Sequence, residues 1–289
     1  MKKLLTTPVM GCTLVILSLT SLFVGVKSIP LEQITHLDQS QVDIFLASRL
    51  PRTISILISG ASLSVCGLLM QQLTQNKFVS PTTSGTMDWA KLGVVVTLIF
   101  FKNTSIFIPL IGLMLGQIVA AVTVFLGTHF QVLQSVNSWL QGNFSIMTSH
   151  RYEILYLALP CLFLVYFFAH QFTIVGLGES FAKNLGIAYE KMIYFGLVLV
   201  SIMTSLVIII VGALPFLGLI VPNLISITKG DHMSSTILET SLLGACIVMI
   251  CDLFGRLVIF PYEVSIGVTL GVLGSAFFLI SIIRNEGKS

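Results

Sequence analysis

The side chains in this sequence that can do chemistry are few, and most are charged groups at the edges of apolar runs. Arg49 and Arg52 flank Leu50-Pro51 at the start of one such run. A pair of cations held rigidly across a proline at a membrane boundary can snorkel to the interface. Asp252 and Arg256 stand four residues apart, so on a helix they share a face and can pair. An ionisable residue inside an apolar segment is a functional candidate by default, and a purely structural pair is the equal alternative. Gly178, Glu179, Ala182, Lys183 and Gly186 occupy a polar stretch that reads as an exposed loop with a helical turn ended near Gly186. Asn76-Lys77-Phe78-Val79-Ser80-Pro81 closes another apolar run, and Asn and Pro both favour a turn there. This is the chemistry of reversible charge pairing and chain reversal, not of bond breaking.

Catalytic sets are missing from the sequence. It has no HExxH and no GxSxG. Gly287-Lys288-Ser289 imitates the end of a phosphate loop, but Ile282 stands where its first Gly belongs. The five His (36, 129, 150, 170, 232) are scattered. The five Cys (12, 66, 161, 246, 251) all sit in apolar runs without metal-ligand spacing, and read as small buried residues. No enzymatic activity, metal or cofactor is expected. A net charge of +3 without a basic stripe gives no reason to expect nucleic acid. Energy for any transport must come from an ion gradient or a partner.

Apolar segments must position these groups. Only 9% of the residues are charged, against roughly a quarter in soluble domains, and the mean hydropathy is +0.99. Apolar runs lie near 8–26, 53–73, 88–101, 106–127, 153–171, 190–212, 214–228, 236–258 and 264–283. The chain therefore reads as a single transmembrane domain, 1–289. It is expected to be an all-α, polytopic helix bundle of about nine apolar segments, a multi-pass protein of the cell membrane with the lipid bilayer around it. The first run follows Lys2 and Lys3 and reads as a retained helix rather than a signal peptide, because it approaches the ~20 residues a span needs. The run at 88–101 holds Asp88 and Lys91, leaving about ten apolar residues, too few to span alone. Pro215 and Pro222 interrupt 214–228, and 128–152, with Trp139 and Gly142, suits an interfacial helix. Gly112/Gly116 and Gly267/Gly271 have the GxxxG spacing that lets helix backbones approach.

Several motifs then recur in one order. Arg49-Leu50-Pro51-Arg52 precedes a helix with Gly60, Ala61, Gly67 and Gln71, followed by Asn76 to Pro81. Next come Leu177-Gly178-Glu179, Ala182 and Leu185-Gly186, then Pro215-Phe216-Leu217-Gly218-Leu219-Ile220-Val221-Pro222-Asn223. Gly230-Asp231-His232, Asp252-Leu253-Phe254-Gly255-Arg256 and Glu263-Val264-Ser265-Ile266-Gly267 complete the series. Over nearly the whole chain this resembles the FecCD family of ABC-importer permeases, which move ferric siderophores, haem and cobalamin. Trp139-Leu140-Gln141-Gly142 and Pro261-Tyr262-Glu263 look like its catecholate-siderophore branch.

The resemblance implies partners at both faces. Cytoplasmic ABC ATPase subunits would grip the segment of Gly178, Glu179, Ala182, Lys183 and Gly186. An extracytoplasmic substrate-binding lipoprotein would dock on Arg49, Arg52 and Arg256. A second permease, identical or paralogous, would complete the pathway, with Asn76 and Phe78 at its cytoplasmic gate. The family typically has ten spans, and its fourth helix is missing here, where Phe100 to Ser105 join one segment to the next. If every early segment spans, the side count puts 174–191 outside, although Lys183 and Lys191 favour inside. Either 88–101 does not cross, or the chain is a shortened, inactive member. The rival reading is an ion-coupled secondary transporter, for which Pro215/Pro222 is the one broken-helix candidate.

Overall fold

The computed structural model describes residues 6–24, 42, 45–77, 79–81, 118, 121–149 and 151–286. Among these the fold is α-helical. Helix α1 is Thr7–Phe23, opened by Pro8 in its first turn, where a missing N–H costs nothing. A π turn, Phe45–Arg49, leads into α2, Leu50–Thr74, which also carries its proline at the start and ends on Gln75 in the left-handed region. Residues 121–129 are helical, and α3 is Leu133–Leu140. A 3-10 turn, Tyr152–Leu157, runs into α4, Ala158–Phe167, and then α5, Ala169–Val175. Next come α6, Glu179–Asn184, α7, Tyr189–Ile210, and α8, Leu217–Lys229. The last two helices are α9, Met233–Leu257, and α10, Ile266–Glu286.

Three of these helices are long and apolar enough to cross a bilayer unaided: Phe45–Thr74, Tyr189–Ile210 and Met233–Leu257. The stretch Tyr152–Phe167 with α5 makes a fourth, bent by 62° at its break. The apolar runs near 8–26, 214–228 and 264–283 form α1, α8 and α10 as the hydropathy requires. The run at 88–101 and the residues from Phe100 to Ser105 lie outside the described residues, as do Gly112 and Gly116.

Helix α2 is the axis of the bundle, buried along almost its whole length, with α9, α8 and α7 packed around it. Small residues permit this. A Cβ on Gly67 would lie 1.9 Å from the Gly218 carbonyl oxygen, and one on Gly60 2.8 Å from Ala245 Cα. Gly244 is pressed the same way on Ser64. Backbones this close leave no room for larger side chains, the membrane substitute for hydrophobic association between helices.

The expected GxxxG contact does not take this form. Gly267 faces the backbone of Gly142 and Ala213, and Gly271 only touches Pro215 at ordinary distance. The 140–143 segment is clamped there: Ala213 N donates to Leu140 O at 3.0 Å, and Gly267 N to Gly142 O at 3.2 Å. Helix α8 begins beside Gly67, well inside α2's length, after Phe216 in the left-handed region at φ 62. It is a half-length helix, with Pro222 buried within it.

Candidate functional site

The bundle has two polar ends. At one, four charged groups form a chain across three elements. Arg52 on α2 donates to Asp252 Oδ1 on α9, Nη2 at 2.8 Å, and is bidentate to Glu263, Nη1 at 3.0 and 2.9 Å. Arg256, one turn below Asp252, donates to Asp252 Oδ2 through Nε at 2.8 Å and through Nη2. Asp252 is thus shared by two arginines, and only Glu263 in the chain is partly open, its side chain about a quarter exposed.

Arg49 and Arg256 have a further job. Arg49 Nη1 donates to the carbonyls of Leu22 at 2.6 Å and Phe23 at 3.3 Å. Arg256 Nη1 donates to those of Ser21 at 3.1 Å and Val24 at 3.0 Å, and Nη2 to Ser21 Oγ at 2.9 Å. These are the orphan carbonyls that end α1, the negative pole of that helix. Two cations from α2 and α9 therefore cap α1. Both arginines are buried, with Arg49 8% and Arg256 6% exposed, and their donors point inward. Of the three arginines read as docking residues, Arg52 is the one linked to the open rim.

The other end holds the turn after α2. Lys77 pairs with Asp231 at 2.9 Å and donates to Ser226 Oγ at 2.9 Å, and Ser226 in turn donates to Asp231. Asn223 Nδ2 donates to Lys77 O at 3.0 Å, and Gln72 Nε2 to Asp231 O at 2.8 Å. Burial alone would favour the neutral acid at Asp231, but Ser226 and Lys77 outweigh it and hold its carboxyl below the usual value. A cavity of about 440 Å³ opens beside this cluster, between α2, α5, α8 and the start of α9. Asn76, read as a gate residue, lines it, while Phe78 lies outside the described residues.

Helix α6 sits at this same end. Gly178, at φ 110, starts it with backbone that suits only glycine, and lies close to the Gln75 side chain. Ala182 is fully buried and anchors the helix to the bundle. Glu179 accepts from Lys183 at 2.6 Å on the solvent side and raises the lysine's pKa. Gly186, at φ 76, ends the motif. Of the apolar residues that protrude, the motif reading named Leu177 and Leu185 without a role and passed over Phe181. Leu177, Phe181 and Leu185 recur every four residues and are each about 60% exposed. The period was legible in the sequence, but their exposure depends on Ala182 facing in.

A second omission is Glu239. It is 5% exposed inside α9, accepts from Thr7 Oγ1 at 2.9 Å, and pairs with Lys229. The criterion that singled out Asp252, an acid in an apolar run, applied equally to it. Among the described residues no three His, Cys, Asp or Glu come together as a metal site.

Comparison with known proteins now has a structure to meet. The FecCD transport family matches residues 13–131 and 104–284. The chain belongs to the FecCD transport family. The petrobactin import system permease protein YclN of Bacillus subtilis is 45% identical over 94% of this chain and 96% of its own length. The ferric-anguibactin transport system permease protein FatD of Vibrio anguillarum is 35% identical over 92% and 94%. The first alignment runs over 304 positions, more than the 289 residues of this chain, so that relative carries residues without a counterpart here. A solved metal-chelate type ABC transporter in an inward-facing conformation superposes with TM-score 0.78 over 95% of this chain and 97% of its own. At 22% identity, it speaks for this FecCD fold alone.

Proposed function

We propose that this FecCD protein is the membrane permease of an ABC importer that carries a ferric siderophore across the cytoplasmic membrane. The names of the petrobactin and anguibactin relatives point to that cargo. The observation that carries the mechanism is α6: a short helix anchored by Ala182 that turns Leu177, Phe181 and Leu185 outward at one end of the bundle. An apolar ridge exposed to water rather than lipid needs a partner, and a groove on a cytoplasmic ATPase suits it. Gly178 and Gly186 set the ends of this coupling segment, and Glu179 and Lys183 edge it with charge. The Lys77 end is then cytoplasmic, with Asn76 and Phe78 at its gate.

The opposite end takes the substrate-binding protein. Arg52 and Glu263 meet it at the rim. Arg49 and Arg256 contribute from behind by holding α1 and Asp252 in place. A second permease subunit, identical or paralogous, completes the pathway, and ATP turnover on the partner alternates its access.

The test is uptake of radio-iron siderophore by proteoliposomes holding this chain, its ATPase and its binding protein. ATP-dependent accumulation is expected. Phe181→Ala should reduce it at least tenfold while leaving the permease folded. Accumulation driven by a proton gradient without the ATPase would overturn this reading in favour of a secondary transporter.

A further inference from the structure

Arg49, Arg52 and Arg256 commit their donors inside the protein, to carbonyls of α1 and to Asp252 and Glu263. Arg151 does not. It is exposed, its backbone N–H donates to Thr148 O at 3.3 Å, and its guanidinium has no partner among the described residues. An exposed arginine at a membrane boundary can reach for lipid headgroups, but the surroundings of Arg151 point to another use.

Arg151 lines a groove of about 600 Å³ together with the polar face of α3. Gln134, Ser135, Ser138 and Gln141 recur at i, i+1, i+4 and i+7, so they share one side of the helix. Val132, Val136 and Leu140 mark the opposite side. Asn143 adds a further carboxamide to the groove. Among the described residues that line it, Arg151 is the only charged one and none is acidic. Glu153 stands two residues on, in the 3-10 turn, and is not one of them.

Backbone contacts of this segment fix the end at which the groove opens. Ser149 N donates to Ala47 O close to Arg49, and Gly267, four residues after Glu263, holds Gly142. The groove is thus at the Arg52–Glu263 end, where the permease reading places delivery of the chelate. Its volume is within the range of roughly 300–1,000 Å³ typical of small-molecule sites, and a single protein carboxylate would fill little of it. One cation among neutral carboxamides and hydroxyls suits an anion whose charge is spread over many oxygens. The guanidinium meets the charge, and the N–H and O–H donors meet the remaining oxygens.

We propose that this groove is a receiving site for an anionic, oxygen-rich ferric chelate, with Arg151 as its charge contact and Gln134 and Ser138 as neutral contacts. The inference rests on the permease reading above and adds to it a substrate contact at the outer face within a single subunit.

The test uses the permease assembled with its ATPase in nanodiscs of phosphatidylcholine, whose headgroups carry no net charge to compete for Arg151. The probe is the anionic radio-iron complex of catechol (1,2-dihydroxybenzene), held in excess catechol. Saturable binding by the wild type is expected. Arg151→Gln should lower the affinity about tenfold, which corresponds to ~1.4 kcal/mol, and Arg151→Lys should keep most of it. Melting curves of both variants should match the wild type, because the guanidinium holds no other part of the protein.

Unchanged probe affinity in Arg151→Gln would overturn the site, and so would absence of saturable binding by the wild type. The chelate-free binding protein is titrated against the same complexes. If Arg151→Gln weakens its docking and leaves the probe unaffected, the groove is a protein contact and the proposal falls. ATP-driven siderophore uptake by the wild type is measured alongside. If uptake occurs while the Arg151 variants bind the probe normally, the site alone fails. If no ATP-driven uptake occurs, the permease reading fails with it.

Discussion

Asp252 is the residue on which one end of the molecule turns. It is buried and lies between Arg52 and Arg256. Asp252→Ala leaves the buried Arg256 without its carboxylate and Arg52 with Glu263 alone. Removing one partner of a buried ion pair costs about 3–5 kcal/mol. The expected result is a clear loss of thermal stability and yield in detergent, read by a melting curve. Glu263→Gln should cost much less, because its side chain is partly solvated. At the other end, Asp231 has a lowered pKa in the folded protein. Its ion pair with Lys77 therefore contributes fully above the unfolded value of about 3.9. That contribution is lost as pH falls through the lower folded value. Between pH 5 and 8 the effect of Asp231→Asn on stability should be constant, and a stability difference that varied across that window would show that the pair is not formed.

At the scale of elements, the crossing of α2 with α8 and α9 sets the packing. Gly67→Ala would drive a methyl into the Gly218 carbonyl, and overpacking of this kind costs roughly 1–3 kcal/mol. Gly271→Ala meets only Pro215 Cγ at 3.9 Å and should be neutral. Parallel melting curves of the two variants separate a true helix crossing from a GxxxG spacing that merely resembles one. The sequence showed all these glycines alike. Which of them face another backbone depends on how helices distant in sequence are rotated about their axes, and the local pattern does not contain that information. The cap on α1 was hidden for the same reason: Arg49 and Arg256 reach Ser21 to Val24 from more than twenty residues away in one case and over two hundred in the other.

At the scale of the whole molecule, the side count comes out consistently. Thr7 meets Glu239, Lys77 meets Asp231, and Gly176 lies against Gln72, all toward one end. Ser149 N donates to Ala47 O toward the other. Residues 176–186 thus share the end of α1's first turn, which the simple count of apolar segments denied. A thiol introduced by Lys183→Cys should react with a membrane-impermeant maleimide only when the cytoplasmic face is accessible. One introduced by Glu263→Cys should react from outside intact cells. Labelling of position 183 from outside would remove α6 as the coupling helix.

Hydropathy by itself determined that the chain is a membrane helix bundle, and the ordered motifs identified its family, because both signals are local and survive without knowing what touches what. Among the described residues, segment limits were legible within a few residues for the same reason. Only the tertiary structure decided that Arg49 and Arg256 are turned inward to α1 while Arg52 reaches the rim. It also revealed that Phe181 protrudes, that Glu239 is buried, and that the Gln71 amide nitrogen is buried without a hydrogen-bond partner among the described residues. Each of these depends on a contact between helices far apart in the chain. The energy of a buried charge or amide is set by that neighbour and not by the residues beside it in sequence.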